Sequence, residues 1–450
     1  MLHYGSAKLL LVLIFLSTIF VVKAYGLPSF AIREKVACTL CHENGSAPHL
    51  TRTGFFYRRA GFRFPDDIGN EEKDNAAMDA IRHIAVGINV DFRIANETPS
   101  ASTSNTKANG FSVREVEIWP ATGAFLGNFG VWSELDMSPT VVDRGGTAST
   151  GAKTTGGKVQ LGMADLRYVS GSPNSFFSVR AGLIAPEGYG ASDQWIDDGQ
   201  IPLMEQVSGF YNQQTLALPL GAMQTPQLGV ELGYSTDTSF VTFGIYNGLD
   251  GTVGDPSAGQ APSAAPTLTD PHSPNGHDYK VQYDQFIGNL FSFTGVYYNG
   301  RISLYSDPTN SASIPWDNHY QLSRAYLTYH AIPNQFEIYV GGANGSYEYV
   351  NTGNTAVAGK FRNDGAFIGS NWYVKPHLTL TLRLDTVTNA LDTPIGTPKS
   401  SGHSTFVGVN LPYENNMWVI HYAVLNSTLN NDPLLDGEKR DFRAEWRFLY

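Results

Sequence analysis

The sequence predicts an all-β protein whose strands close into an antiparallel barrel, preceded by a small N-terminal segment of different character. Composition is the first observation: the 450 residues include 46 Gly, 23 Tyr and 25 Phe, and only 16% are charged, which is typical of strands and turns. The second observation is an alternation of apolar and polar residues with a period of two. The third is that this alternation recurs about every 20 residues along the chain.

The alternation is clearest in a segment near the C-terminal end. There Leu378, Leu380, Leu382 and Leu384 alternate with Thr379, Thr381, Arg383 and Asp385. Residues 177–183, 228–234, 241–245 and 418–424 repeat the pattern, with glycine and charge on the second face. A sheet with one polar face can close that face around water or a plug and turn its apolar face to lipid. The sequence therefore predicts an outer-membrane β-barrel rather than the alternative, a soluble β-sandwich.

The number of candidate strands sets the size of the barrel. Residues 84–450 contain about 16 of them, an even number that is large enough to leave a lumen. The last strand alternates aromatic and charged residues and ends on Tyr450, which resembles the assembly signal of outer-membrane barrels. We therefore assign residues 81–450 to the barrel and expect contact with outer-membrane lipid.

Glycine, proline and polar residues indicate the connections between strands. Asn247-Gly248 and Asn299-Gly300 predict tight turns, and residues 251–276 predict a long surface loop. Residues 185–227 are too many for a tight connection. We expect this segment to fold inward or to cover one mouth of the barrel.

The N-terminus predicts export. Lys8 precedes an apolar run over residues 9–22, and Val22-Lys23-Ala24 forms a small-residue cleavage site. The run is too short for a confident membrane span, so residues 1–24 are a predicted signal peptide and the mature chain would begin at Tyr25. A net charge of −11 argues against nucleic acid as a partner and is compatible with cationic substrates.

The chain has two cysteines, and both lie in the segment Cys38-Thr39-Leu40-Cys41-His42. This spacing predicts one covalent haem c, with Cys38 and Cys41 as thioether anchors and His42 as the proximal iron ligand. A reversible Cys38–Cys41 disulfide is the first alternative. A zinc site is the second, although adjacent cysteine and histidine close a tetrahedron poorly.

The sixth iron ligand is less defined. His83 shares the parity of the lumen-facing residues of the first strand, and Met78 lies in a polar segment that could form a short helix. Both are candidates, as is an open or water-bound iron. His49 is too close to His42 in sequence to reach the opposite haem face. The dispersed histidines, among them His272, His277, His319 and His330, form no zinc or di-iron spacing.

The residues around the haem motif resemble a known family. The matching positions are Pro28, Phe30 and Ala31 before the motif and Pro48, Leu50, Gly54, Arg58, Gly61, Phe64 and Pro65 around or after it. Together they resemble the fused monohaem cytochrome-porins of the bacterial outer membrane, including those implicated in iron oxidation. Thr53, Tyr57 and Phe62 are mild departures from the family pattern. The resemblance implies a c-type monohaem cytochrome segment over residues 25–80.

The predicted function is an electron conduit in the bacterial outer membrane. One haem c would pass electrons between an extracellular donor, Fe(II) by the resemblance, and a periplasmic carrier cytochrome, as in an Fe(II):cytochrome oxidoreductase. The alternatives are a diffusion porin whose haem segment is a constriction or redox sensor, and outward transfer to an extracellular acceptor. The cytochrome segment is too small to exclude water alone, so we expect it to plug the lumen or its mouth.

Two sets of side chains leave alternatives open. Four aromatic residues, Phe55, Phe56, Tyr57 and Phe62, either line the haem or form a small core. Three acidic residues on the predicted lumen face, Glu231, Asp385 and Glu445, either draw a cation inward or are ordinary lumen side chains.

Overall fold

The computed structural model describes most of the barrel and part of the N-terminal segment. The described residues are 30, 34–37, 40–42, 50–71, 85–99, 106–138, 158–186, 191, 226–247, 277–304, 316–333, 335–351, 359–375, 378–392, 399–413, 416–429 and 437–449. The predicted signal peptide, Cys38, Met78 and His83 lie outside these ranges.

Seventeen strands form one sheet in the described residues. They are β1 (Ala85–Pro99), β2 (Thr106–Trp119), β3 (Thr122–Phe125), β4 (Phe129–Ser138), β5 (Lys158–Ser172), β6 (Ser175–Ile184), β7 (Gln227–Thr236), β8 (Ser239–Tyr246), β9 (Asp278–Ile287), β10 (Phe291–Leu304), β11 (Trp316–Ile332), β12 (Phe336–Asn351), β13 (Gly359–Lys375), β14 (Leu378–Asp392), β15 (Lys399–Tyr413), β16 (Asn416–Leu429) and β17 (Gly437–Leu449).

The sheet closes on itself. Strand β1 pairs antiparallel with β2 on one side and with β17 on the other, so that Val90 lies opposite both Val113 and Trp446. Each of the remaining strands from β4 to β16 pairs antiparallel with the strands before and after it in sequence. Closure removes the exposed sheet edges that would otherwise carry unpaired backbone groups.

Strands β2 and β3 share one position in the wall. Ile118 of β2 pairs with Leu135 of β4, and Thr122 of β3 pairs with Trp132 of the same strand. Pro120 separates β2 from β3, because proline has no N–H to donate to the ladder. The described barrel therefore has 16 wall positions, and the sequence prediction of about 16 strands is confirmed.

The two ends of the barrel differ. Strands β5–β6, β7–β8 and β9–β10 are joined by short turns at one end, whereas residues 185–226 and 247–277 are long connections at the other. In outer-membrane barrels the short turns face the periplasm and the long loops face outside. We call these the short-turn end and the long-loop end.

One predicted turn is wrong. Asn299 and Gly300 lie inside β10, opposite Gln321 and Tyr320 of β11. The dipeptide signal was outweighed because β10 is paired along both flanks and its side-chain alternation continues through these residues. Asn247 does end a strand, since it directly follows β8.

The predicted alternation is confirmed in three dimensions. Leu382 and Leu384 are about half exposed on the outside, at 50% and 51%, whereas the intervening Arg383 is 2% exposed inside. Leu232 at 43% and Glu231 at 3% repeat the relationship on β7. A closed barrel with an apolar outer surface and a polar interior is built to span the bacterial outer membrane.

The described part of the N-terminal segment contains a short helix, α1 (Arg52–Arg59), and a 3-10 turn over Pro65–Asp67. Thr51 caps α1 by accepting a hydrogen bond from the Gly54 N–H at 3.2 Å. No helix within the described ranges has the length and apolarity to cross a membrane.

Candidate functional site

The described part of the predicted haem motif is joined directly to α1. His42 and Leu50 form an antiparallel bridge, and the Thr51 N–H donates to the Cys41 carbonyl at 2.9 Å. The Thr51 hydroxyl donates to the Leu40 carbonyl at 2.6 Å. The residue that caps the helix therefore also fixes the backbone that carries the Cys41 thiol and the His42 imidazole.

Gly54 allows this close approach. A Cβ built at this position would overlap the Cys41 carbonyl oxygen, which is backbone and has little freedom to move aside. A glycine is therefore required where α1 crosses the motif, for steric reasons.

One face of α1 packs on the inside of the barrel wall. Phe55 lies 5.3 Å from Phe286 of β9 and 6.2 Å from Phe240 of β8, between ring centroids, and Phe56 lies 5.7 Å from Phe286. Val169, Phe176 and Ala191 belong to the same buried cluster. Phe55 and Phe56 thus share a buried core with barrel residues, and Phe56 also lines the cavity described below, so both interpretations of the aromatic residues stay open.

Phe62 anchors the chain after α1. Gly61 and Phe62 both have left-handed backbone, with φ of 72° and 64°, which is costly for a phenylalanine. The ring of Phe62 is held between Phe30 and Trp132 of β4, at centroid distances of 5.2 and 5.5 Å. The Arg167 guanidinium lies 4.5 Å from the same ring, so packing and a cation–π contact stabilise the strained turn.

Charged and polar contacts tie the same segment to the wall. Arg59 forms an ion pair with Asp284 of β9 at 3.6 Å, and Arg167 donates to the Arg58 carbonyl at 2.9 Å. Arg52 donates to the backbone carbonyl of Asp237, in the turn between β7 and β8. The described part of the N-terminal segment is thus seated at the short-turn end, and we call this part the plug.

A ladder of ion pairs lines the adjacent wall. Arg180 of β6 bonds Asp165 at 2.7 Å and Glu231 at 3.2 Å, and Lys280 of β9 bonds the second oxygen of Glu231. All four side chains point into the lumen, where each buried charge has an opposite partner.

Two described residues of the connection between β6 and β7, Pro186 and Ala191, contact the inside of the barrel wall. The Lys280 ammonium donates to the Pro186 carbonyl at 2.8 Å, and the Ala191 N–H donates to Asp284 Oδ1 at 2.7 Å. Ala191 also packs in the cluster with Phe55 and Phe56. The described part of this connection therefore folds inward as expected and reaches the plug.

The three predicted acidic residues are buried inside the wall. Glu231 accepts from Lys280, Arg180 and, at 2.6 Å, from the Tyr246 hydroxyl. Asp385 pairs with Arg383 at 2.9 Å, and Glu445 is fully buried at the register position opposite Asp91. These partners favour the interpretation of Glu231 and Asp385 as ordinary lumen side chains.

A cavity of about 750 Å³ lies between the plug and the rim of the barrel. The plug contributes Leu40, Leu50, Arg52, Phe56 and Phe64 to its wall, the short turns contribute Asn174, Asp237 and Asn289, and the end of β11 contributes His330. Leu40 lies within the predicted haem motif. The cavity thus opens directly beside the predicted attachment site.

Sequence reasoning missed His330. It was grouped with the dispersed histidines, although Leu327 and Tyr329 face outward with 39% exposure each. The structure shows that His330 faces inward, because it contacts the buried residues Glu337 and Ser292. Its position three residues before Pro333, near the end of β11, places it on the rim. Outward-facing neighbours and a following turn together are the signal that could have found it.

The other predicted ligands are not brought together by the described residues. Cys38, Met78 and His83 lie outside them, and Cys41 and His42 are the members of the predicted ligand set that lie inside them. Within the described ranges, no three His, Cys, Asp or Glu side chains are grouped to hold a metal ion. The haem, disulfide and zinc alternatives stay predictions.

A 16-position barrel with an apolar outside, charged lumen and inward connection defines a porin-like outer-membrane β-barrel. No protein-family model matches the chain, and no curated protein matches it. Solved structures with a similar fold include OmpT of Vibrio cholerae, at 12% identity and a TM-score of 0.47 over 82% of this chain and 98% of that one.

Two further solved structures are similar at the same level. The anion-selective porin from Comamonas acidovorans has 10% identity and a TM-score of 0.45, covering 82% of this chain and 99% of its own. Salmonella typhi OmpF in complex with daunomycin has 12% identity and a TM-score of 0.48, covering 81% and 97%. At these identities and TM-scores, the likenesses carry no argument about function.

Proposed function

We propose that this outer-membrane barrel passes electrons through one covalent haem c between extracellular Fe(II) and a periplasmic carrier cytochrome. Cys38 and Cys41 anchor the haem, and His42 is the proximal iron ligand. The observation that supports this most directly is the docking of the Cys41-His42 backbone by Thr51 onto a helix that is packed into the barrel wall. The predicted redox motif and the barrel are thereby one packed unit.

The residues beside the motif fit a haem. A thiol and an imidazole are adjacent in sequence at Cys41 and His42, which is the donor set that a c-type haem requires. Phe56 and Phe64 give the cavity apolar walls, and Arg52 adds a cation suited to bind a carboxylate of the haem. When bound, the haem supplies one-electron transfer at iron, and the chain's residues orient it, tune it and exclude water.

The barrel wall completes what the plug lacks. The described plug contains one helix of eight residues, too little to bury a large planar group alone. Phe286 packs on the plug and also lines the cavity. Water exclusion around the cofactor therefore depends on the barrel, which explains why the two are fused in one chain.

The position of the cavity supports the proposed route. It lies at the short-turn end, which faces the periplasm, so a carrier cytochrome reaches the haem from its own compartment. An extracellular donor enters from the long-loop end and approaches through the lumen. The described lining of the cavity carries Asp66 and Asp237 against the single cation Arg52, and this net negative charge favours a cation over an anion.

The experiment is a visible spectrum of the full-length protein extracted from outer membranes, recorded as isolated, after dithionite and after anaerobic Fe(II). A c-type reduced spectrum, with Fe(II) giving most of the dithionite change, is the expected result. A double variant, Cys38→Ala with Cys41→Ala, that still folds as a barrel is the control and loses the covalent haem, because no thioether anchor remains. A wild-type barrel without haem contradicts the proposal, and reduction by dithionite alone contradicts Fe(II) as donor.

Occupation of the lumen supports a second candidate, a diffusion porin in which the plug is a constriction or redox sensor. The plug and residues 186 and 191 both lie within the barrel, as a constriction would. Planar-bilayer conductance of wild type and His42→Ala separates the two functions. If the protein is a conduit, His42→Ala loses Fe(II)-dependent electron flux and keeps the wild-type conductance. If it is a diffusion porin, His42→Ala has the same conductance as wild type, and neither protein shows Fe(II)-dependent electron flux. Outward electron flow would instead show as oxidation of the reduced haem by an extracellular acceptor.

A further inference from the structure

His330 lies at the rim of the barrel, on the wall of the cavity that Leu40 of the haem motif also lines. Its backbone N–H donates to the Leu290 carbonyl at 2.8 Å, which fixes the end of β11 to the turn between β9 and β10. The side chain is 22% exposed. The imidazole is therefore held at a fixed place beside the cavity and is accessible to an occupant.

A buried carboxylate orients the imidazole. Nδ1 of His330 lies 3.4 Å from Glu337 Oε2, and the other Glu337 oxygen accepts from the Asn371 amide at 2.7 Å and the Tyr373 hydroxyl at 2.8 Å. Glu337 is only 5% exposed. A carboxylate fixed by two donors and paired to Nδ1 is the arrangement that directs Nε2 of a histidine toward a metal.

Nε2 makes a replaceable contact. It lies 3.3 Å from the Ser292 hydroxyl, which is longer than the usual distance between donor and acceptor in a protein hydrogen bond. Iron ligation at Nε2 would replace this contact, and the Ser292 hydroxyl can reorient because its hydrogen rotates about the C–O bond.

We propose that His330 is the distal axial ligand of the haem, with Glu337 as its positioning residue. The inference rests on the proposed function and deepens it. Within the described lining of the cavity, His330 is the side chain with a donor suited to haem iron. Ligation from β11 means that the iron joins the plug to the barrel wall, so haem insertion and plug seating are coupled.

The proposal fixes the type of site. Ligation by His42 and His330 is bis-imidazole, which gives a lower reduction potential than histidine and methionine would. The carboxylate on Nδ1 makes the distal imidazole more basic and lowers the potential further.

The experiment uses full-length protein in detergent and compares wild type with His330→Ala, His330→Met and a matched control, His319→Ala. His319 lies on the same strand and is exposed on the outer surface. Covalent haem is measured by haem staining after denaturing electrophoresis, barrel folding by heat-modifiable migration, and ligation by the visible spectrum with and without added imidazole.

In His330→Ala we expect covalent haem and barrel folding at wild-type levels, loss of the low-spin spectrum, and its recovery with added imidazole. His330→Met stays low-spin and has a raised midpoint potential in a redox titration. Glu337→Gln stays low-spin with a smaller upward shift. His319→Ala matches wild type in every measurement.

A low-spin spectrum in His330→Ala that equals the His319→Ala control overturns the proposal while leaving the haem conduit intact. An unchanged potential in His330→Met overturns it as well, even if His330→Ala fails to fold. Absence of covalent haem from the wild-type barrel overturns the proposed function and this inference together, so the two failures are distinguishable.

Discussion

The carboxylate of Asp284 joins three parts of the chain, because it pairs with Arg59 of the plug at 3.6 Å and accepts from the Ala191 N–H at 2.7 Å. Its third partner is the Thr294 hydroxyl of β10 at 2.8 Å. Asp284 is fully buried. The plug, the inward connection and the wall therefore share one buried charge.

Replacing Arg59 by methionine removes the plug's charge and keeps an apolar stem. Asp284 is then a buried carboxylate with only neutral hydrogen-bond donors, and removal of one partner from a buried pair costs on the order of 3 kcal/mol. We expect a lower urea midpoint of unfolding in detergent, and faster proteolysis of residues 30–71 in the folded barrel.

Arg362→Met is the matched control for that change. Arg362 pairs with Asp392 at 2.7 Å, but the two side chains are 50% and 35% exposed. An exposed pair contributes at most about 1 kcal/mol. Equal loss of stability in the two variants would show that the Arg59–Asp284 pair has no special role in seating the plug.

Gly54→Val tests the contact between α1 and the haem motif. The new side chain must displace the Cys41 backbone, because a Cβ at this position already overlaps its carbonyl oxygen. We expect the barrel to fold, and the plug to lose protease protection together with most of its covalent haem. Both quantities are measured on the same preparation, relative to folded barrel.

Thr53→Ala, on the same helix, is the control for Gly54→Val, because it shortens a side chain without approaching Cys41 and improves helix propensity. It should keep wild-type protection and haem content. Intact protection in Gly54→Val would mean that the close approach of α1 to Cys41 is not needed for docking.

The barrel was predictable because each strand carries its own evidence. Leu382 and Arg383 differ in exposure as their parity requires, and such parity is a local property of sequence. Asn299-Gly300 failed as a turn because pairing on both sides of β10 decides whether a permissive dipeptide bends. The break at Pro120 leaves the ring of 16 positions unchanged.

The candidate site was less predictable because its parts come from distant segments. Cys41 and His42 are visible as a motif, but the packing of Phe55 on Phe286 joins residues more than 200 apart and has no sequence signature. His330 is on the rim only once β11 is placed in the ring. Local patterns specify strands and attachment motifs, whereas the cavity between them depends on closure of the whole barrel.

Phe286→Ala tests the apolar seat of the plug. The substitution removes the ring that contacts both Phe55 and Phe56 and leaves a void in a buried cluster, which costs about 3–5 kcal/mol for a well-packed phenylalanine. We expect larger and noisier single-channel conductance in planar bilayers, because the plug moves from the wall more often.

The control is Phe243→Ala, on β8, where the side chain faces outward and is 40% exposed. It lowers apolar contact with lipid and leaves the plug untouched. Conductance should match wild type. A similar increase in both variants would assign the effect to a weakened barrel rather than to the plug.

Lys280 and Glu231 allow a test of how the inward connection is held. Lys280→Met leaves Glu231 bonded to Arg180 at 3.2 Å and to the Tyr246 hydroxyl at 2.6 Å. Glu231→Gln removes the carboxylate partner of Lys280, a fully buried ammonium that also donates to the Pro186 carbonyl. Glu231→Gln should therefore lower the free energy of unfolding by about 3 kcal/mol relative to wild type. This loss should exceed that of Lys280→Met.

The double variant should lose less free energy of unfolding than the two single variants lose together, because no unpaired ammonium remains when both charges are removed. Urea unfolding of the four proteins measures this coupling. Every variant that lacks Lys280 should also lose the tether to Pro186 and show added current fluctuations in bilayers. Strict additivity of the unfolding free energies, with quiet currents in Lys280→Met, would mean that the ion pair neither stabilises the wall nor holds the inward connection.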